Sequence, residues 1–423
     1  MITREQIHEL AQFEDEGACA LSFYFQPSTP RNKAHKEEAI LTKDLAREAL
    51  RQLEEKNKHK HKNKEKIEAA RADLDRIVRL SQELRGNGAH AKAIFACSSR
   101  RFWREYDLPA QLSGTQLFAD RHFHLKPLTQ LLGSLPSLGI LLTDRRRARL
   151  FELRLGELTE RMDFFHPLSR RRRSDGFNGY DAGRAERQVA EEARQHFKVL
   201  ADFVKDALDK GMFEHWVLGC QEIHWAPFEA QLHACALQKL QGRFASEVGH
   251  ATRDVIRSHA ESIFAASQKK RCDEAVRETL SQARSSARGV TGLRRVLRSL
   301  ESGEVQTLLL GQTYHAQAVE CSGCGHLDAH LVNFCPVCGR EIRGVVDAAE
   351  AILPAVIRHN IELLYVKDDP EFDKVGNIAA LLRFRSEQNN NSSNIRSITQ
   401  VPPNPSVSRP VGRVGRYRGL ASG

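Results

Sequence analysis

No stretch of this 423-residue chain is long and apolar enough to cross a lipid bilayer. An apolar leader is also missing. Met1-Ile2-Thr3-Arg4-Glu5 carries charge at once, so a cytoplasmic protein with no membrane partner is expected. Nine cysteines are few for this length, and five of them (Cys19, Cys97, Cys220, Cys235 and Cys272) are scattered, mostly in apolar runs. That argues against a disulfide framework; these five read as reduced core residues. No segment repeats, which speaks against a solenoid or a propeller. The length exceeds one ordinary core, so several domains are expected.

Positive charge is abundant, and it is clumped. Lysine and arginine number 64 against 54 acidic residues, a formal net charge of +10. Such an excess indicates an anionic partner, most commonly nucleic acid, with solubility alone as the plain alternative. One clump runs from Lys56 to Lys64 and contains Lys58, Lys60, Lys62 and Lys64; others are Arg145-Arg146-Arg147 and Arg170-Arg171-Arg172-Arg173. After Arg385 the chain adds Arg396, Arg409, Arg413, Arg416 and Arg418 against the single Glu387. Lysine and histidine neutralise phosphate but carry little base-specific information.

The remaining four cysteines form two matched pairs, Cys321-Ser-Gly-Cys324 and Cys335-Pro-Val-Cys338, followed by Gly325 and Gly339. The glycines let the chain curl so that backbone N–H groups point at the sulfurs. Two such knuckles close a tetrahedral tetrathiolate site, which Zn²⁺ accepts as a structural ion with no coordination position left for catalysis. A redox dithiol would need only one pair. His326 and His330 lie between the pairs and are alternative ligands.

Hydrophobic patterning predicts an α/β protein of three mixed α/β domains with a zinc-knuckle insertion in the third and a disordered C-terminal tail. In the first, residues 1–127, the strand Ala20–Phe25 precedes two helices. One carries Ile40, Leu41, Leu45, Ala49, Leu50 and Leu53 on one face; the other carries Ile67, Leu74, Ile77, Val78 and Leu84. They form a hairpin with the Lys/His run at its tip, and the strand Ala93–Cys97 follows. In the second, residues 128–288, Leu138–Thr143 and Ala148–Leu153 form a hairpin, and a third strand runs through Phe164. A polar loop over Arg170–Gly183 leads to a long amphipathic helix with Val189, Ala193, Phe197, Leu200, Val204 and Leu208. The strand His215–Gly219, a helix with Phe228, Leu232 and Leu237, a short strand at Phe244 and long helices over 251–287 complete it. The third, residues 289–385, has a helix over 293–300, the strand Val305–Leu310, the insertion over 319–342, a helix over 346–359 and strands at 361–366 and 378–384. The alternation predicts largely parallel sheets covered on both faces. The tail, residues 386–423, is Asn/Ser/Pro/Arg-rich and is expected to be disordered and basic. Trp216, Trp225 and Phe228 read as packing residues.

The stretch from Leu297 to Leu309, with Ser302-Gly303-Glu304-Val305-Gln306-Thr307-Leu308-Leu309, resembles the start of the C-terminal domain of archaeal and eukaryotic class-1 peptide chain release factors. Archaeal members carry Cys-x-x-Cys pairs where Cys321 begins. Val375-Gly376-Asn377-Ile378-Ala379-Ala380-Leu381-Leu382-Arg383-Phe384 resembles the family's closing Gly-Gly-Ile-Ala-Ala-x-Leu-Arg-Tyr, with Asn377 replacing the second glycine. The element order of the central and N-terminal parts is similar as well. The chain thus resembles the release-factor/Pelota superfamily, in its bacterial branch.

Two departures qualify what the resemblance implies. The family's release factors set Gly-Gly-Gln on the central-domain loop to position water at the peptidyl-tRNA ester. Here the loop reads Ser174-Asp175-Gly176-Phe177-Asn178-Gly179-Tyr180-Asp181-Ala182-Gly183-Arg184, and Gln188 falls inside the predicted helix. The codon-reading Asn-Ile-Lys-Ser is absent too. Loss of one positioned donor typically costs about a hundredfold or more in rate. The resemblance therefore implies a binder of the ribosomal A site that does not read a stop codon, acting in ribosome hibernation or on stalled ribosomes. Lys58–Lys64, Arg170–Arg173, Gly176, Gly179, Gly183 and Arg184 would contact ribosomal RNA. A translational GTPase such as elongation factor Tu is an implied partner, and A-site binding implies a monomer. The alternatives are a peptidyl-tRNA-hydrolysing rescue factor and a zinc-dependent RNA- or protein-binding module unrelated to ribosomes.

Overall fold

The computed structural model describes residues 2, 4–15, 19–26, 36–57, 64–83, 91–109, 112, 114–134, 137–154, 156–165, 180–330 and 332–384. The tail expected to be disordered lies outside them.

The first sheet grows around β1 (Ala20–Phe25), which is buried at every position. A strand buried on both sides needs a layer on each face. β1 lies between β2 (Ala91–Cys97) and β4 (Gln116–Asp120), with β3 (Phe102–Leu108) beyond β2, and every pairing is antiparallel. On one face α2 (Lys36–Asn57) and α3 (Lys64–Glu83) pack Leu53, Leu74 and Ile77 onto Leu21 and Phe23. On the other, α1 (Arg4–Gln12) and Phe123 cover Tyr24 and Phe95.

After α4 (Lys126–Ser134) comes a five-stranded sheet, in order β7 (Glu157–Phe165), β6 (Arg147–Arg154), β5 (Leu138–Thr143), β8 (His215–Cys220) and β9 (Leu240–Phe244). β5–β6 and β6–β7 are antiparallel, whereas β5–β8 and β8–β9 are parallel. α5 (Tyr180–Asp209) lies on one face with α6 (Glu222–Glu229) and α7 (Ala234–Lys239). On the other face lies the 32-residue helix α8 (Arg253–Arg284). Its first half sets Ile256, Ala260 and Phe264 into this sheet's core, and its second half sets Val276 and Leu280 against Leu309, Phe372 and Ala379 of the next.

That next sheet has the order β10 (Gly289–Thr291), β16 (Ile378–Leu382), β11 (Val305–Gly311) and β15 (Glu362–Val366), with only β11–β15 parallel. α9 (Leu293–Glu301) and α10 (Ala348–Arg358) supply Val296, Leu300, Ile352 and Val356 to its core. The short α11 (Pro370–Lys374) buries Phe372. Between β11 and α10 a small antiparallel sheet, β13 (Leu327–Asp328), β12 (Ala318–Cys321) and β14 (Ile342–Val345), carries the cysteines.

The expected largely parallel sheets are corrected. Antiparallel pairs dominate, partly because β2–β3, β5–β6, β6–β7 and β12–β13 are joined by short turns and partly because β4 and β16 return from afar to pair antiparallel with β1 and with β10 and β11. On α2 the buried stripe is Thr42, Ala46, Ala49 and Leu53, while Ile40 and Leu41 are exposed. The expected single helix after β8 is two, α6 and α7, with Leu237 exposed, and the long helices over 251–287 are one. Cys235 is exposed, unlike the buried Cys19, Cys97 and Cys220.

Candidate metal centre and basic surfaces

Cys321 ends β12, and its knuckle turns through Gly325 at φ +72°; Cys335 begins the second, which turns through Gly339 at φ +71°. An L side chain is strained at such angles, so glycine is required there. The two turns repeat one hydrogen-bond pattern. The Gly325 N–H donates to the Cys321 carbonyl at 3.1 Å and the Gly339 N–H to the Cys335 carbonyl at 2.9 Å. The N–H groups of Gly323 and Cys324 point at Cys321 Sγ (3.3 and 3.5 Å), and that of Val337 at Cys335 Sγ (3.4 Å).

The four Sγ atoms lie within 4.8 Å of one another, with Cys321–Cys338 at 3.3 Å and Cys324–Cys335 at 3.6 Å. Four sulfurs at the usual zinc–sulfur distance stand about 3.8 Å apart, so the donor set fits a tetrahedral metal ion. Desolvation opposes ionisation of Cys321, yet the N–H groups of Cys324 and Gly323 and the adjoining thiols outweigh it and bring the thiol down to about 6. Cys324 goes the other way: the His326 N–H draws it down, but desolvation and the neighbouring sulfurs push it up to about 12. A metal cation favours the thiolate form of all four. His326 Nδ1 instead contacts Glu301 at 2.9 Å, and His330 Nδ1 contacts Asp328 at 3.2 Å. Neither histidine joins the cluster.

Lys64 is exposed in the first turn of α3; Lys58, Lys60 and Lys62 lie outside the described residues. So do Arg170, Arg171, Arg172, Arg173, Gly176 and Gly179. α5 begins at Tyr180, so Gly183 and Arg184 are helical rather than part of the expected loop. One glycine costs a helix only about 1 kcal/mol, which a long amphipathic helix absorbs. Gln188 is in α5, as expected, and donates to Glu192 at 3.3 Å. Arg145–Arg147 form the β5–β6 turn. Asp144 accepts there from the N–H groups of Arg146 (2.6 Å) and Arg147 (2.8 Å), which leaves Arg145 and Arg146 exposed.

Sequence reading missed the junction between the first and third sheets. Glu350 on α10 accepts from the N–H groups of Leu125 (2.9 Å) and Lys126 (3.1 Å), capping α4. Lys126 Nζ reaches Asp347 at 3.1 Å and the Tyr314 carbonyl at 2.7 Å. His124 stacks on Phe118 and sits 3.9 Å from Asp120 and 3.5 Å from Glu350. Burial works against its charge, but the two carboxylates prevail and raise its pKa to about 9. Partners 188 to 225 residues apart leave no local signal.

Residues 124–263 match the family model for bacterial archaeo-eukaryotic release factor family 10. This central segment is similar to the release-factor domains of that bacterial family. The resemblance to the release-factor/Pelota superfamily is thereby borne out, on the segment where it rested on element order rather than on motifs. Comparison with curated proteins gave no match. Among solved structures, an archaeal translation termination factor is 14% identical, covers 90% of this chain and 99% of its own, and has a TM-score of 0.23. A translation termination-like factor of S. cerevisiae is 9% identical over 71% of this chain and 82% of its own, with a TM-score of 0.41. Archaeoglobus fulgidus Pelota is 12% identical over 70% and 79%, with a TM-score of 0.28.

Proposed function

We propose that the chain is a ribosome-binding translation factor that occupies the A site without reading a stop codon and acts in ribosome hibernation or stalled-ribosome recognition. The observation that carries this reading is the release-factor domain over 124–263 whose loop sequence lacks Gly-Gly-Gln. Hydrolysis would need a positioned donor at the ester. Gln188 lies within α5 and donates to Glu192, which supports the reading that it does not replace the family motif. In this proposal the domains are 1–127, 128–288 and 289–385. Lys58–Lys64, Arg170–Arg173, Gly176, Gly179, Gly183 and Arg184 meet ribosomal RNA through phosphate contacts, which need charge and little base reading. The four cysteines hold a structural Zn²⁺. A translational GTPase such as elongation factor Tu accompanies the factor, which works as a monomer in the cytoplasm.

The test is incubation of purified protein with bacterial ribosomes, with and without peptidyl-tRNA. Sedimentation with the ribosome and no peptide release is the expected result. Rapid release that is lost in Gly179→Ala would establish the rescue-factor alternative instead. Failure to sediment with ribosomes in dilute buffer would leave only a zinc module unrelated to them.

A further inference from the structure

A cavity of about 370 Å³ opens between α5 and α6, walled by Phe197, Ile223 and Pro227 and edged by Arg145, Arg194 and His224. It stands at the carboxyl ends of β5 and β8, two parallel neighbours. Arg145 follows the end of β5, and Ile223 and His224 follow the end of β8. In open α/β sheets ligands collect outside the carboxyl ends of parallel strands, because the following turns and helices diverge there. The volume falls within the range of small-ligand sites.

Two of the three polar side chains that edge this cavity, His224 and Arg145, have no side-chain partner among the described residues. His224 is only 5% exposed, yet no described residue hydrogen-bonds its ring; its neighbour is Phe197, with ring centroids 6.2 Å apart. Its ring lines the cavity and its nitrogens are not sealed from solvent, so a ligand that enters can reach them. Burial first, then the nearby Arg145 guanidinium, lower the pKa of His224. The neutral ring offers one donor and one acceptor. Arg194 is paired with Glu191 at 2.6 Å. Arg145 is exposed and has no carboxylate partner among the described residues, since Asp144 is engaged by backbone N–H groups of its own turn. The ligand must therefore bring an anionic group for Arg145, a flat apolar body for Phe197, Ile223 and Pro227, and an edge with both donor and acceptor for His224. A fatty acid that gives its carboxylate to Arg145 has no second polar edge to offer His224.

We propose that this cavity binds a nucleotide, with its phosphate at Arg145 and its base seated against Phe197 and Ile223 with an edge on His224. The same chemistry is offered by a free mononucleotide and by a nucleotide unstacked from an RNA strand. The proposal does not rest on the ribosome reading, because it is measured on the protein alone.

The test is calorimetric titration of the full chain with AMP, adenosine and inorganic phosphate. One AMP per chain is expected, with adenosine and phosphate each at least about tenfold weaker. Arg145→Ala should weaken AMP about tenfold or more. Ile223→Glu, at a position 65% exposed, should abolish binding by setting a carboxylate at the mouth. Both variants should melt like the parent, since neither residue is buried. A short single-stranded oligoribonucleotide that displaces AMP identifies RNA as the source; one that does not assigns the site to free nucleotide. Absence of AMP binding at millimolar concentration, binding that both variants leave intact, or equal affinity for adenosine and AMP would overturn the proposal.

Discussion

Cys321, at the end of β12, and Cys335, in the second knuckle, are buried, whereas Cys324 and Cys338 are exposed. Backbone N–H groups point at Cys321, Cys335 and Cys324, so the turns are set to hold sulfur anions. Cys335→Ser is expected to abolish one bound zinc per chain, read by metal analysis, and to open residues 318–345 to protease while the rest resists. Zinc at full occupancy in this variant would show that the four thiols do not form the site. At the junction, His124 has a folded pKa near 9 against a reference of 6.5. The sign follows from which form the fold prefers. The protonated ring stabilises the folded state fully below about pH 6.5, and that contribution fades as pH rises toward 9, by on the order of 3 kcal/mol at most. Urea melts between pH 6.5 and 9.5 should show this decline, and Glu350→Gln should flatten it. An unchanged slope in that variant would remove His124 and Glu350 as its source.

Among the elements, β10 approaches α8 with no room between them. A Cβ on Gly289 would lie 2.3 Å from the Thr279 carbonyl oxygen and 2.4 Å from the Ala283 nitrogen, both backbone atoms. Backbone cannot swing aside as a side chain can, so Gly289→Ala should cost about 2 kcal/mol or more in denaturant unfolding. A loss under about 0.5 kcal/mol would mean that helix and strand separate freely. Many elements were legible in the sequence because their patterns are long: the mostly apolar β1 and β5, and the helical stripe from Ala193 to Leu208. Reading erred where pattern and packing part company. Ile40 and Leu41 are apolar but exposed, and the buried stripe of α2 runs through Thr42 and Ala46, whose small side chains let the helix lie close. Pro227 and the turn after Glu229 divide one expected helix into α6 and α7.

For the whole molecule, the net charge of +10 and the clumped arginines and lysines predict salt-sensitive binding. If about six to ten ribosomal phosphates are neutralised, raising salt from about 50 to 200 mM should weaken ribosome association by roughly 10³-fold or more. Sedimentation across that range measures it, and affinity indifferent to salt would locate binding in uncharged contacts. No helix among the described residues is long and apolar enough to cross a membrane. α8 is shared by two sheet cores and α10 packs against both the first and the third, so the parts expected as separate domains are joined by common helices. The sequence by itself determined many of the strands, most of the longer helices and the pairing of the four cysteines, because apolar period and Cys-x-x-Cys-Gly spacing act within a few residues. Only the tertiary structure decided which strands run parallel, that Glu350 caps α4, and that Arg145 and His224 edge one cavity. Those facts depend on where the chain returns after tens or hundreds of residues, a distance over which side-chain periodicity carries no phase.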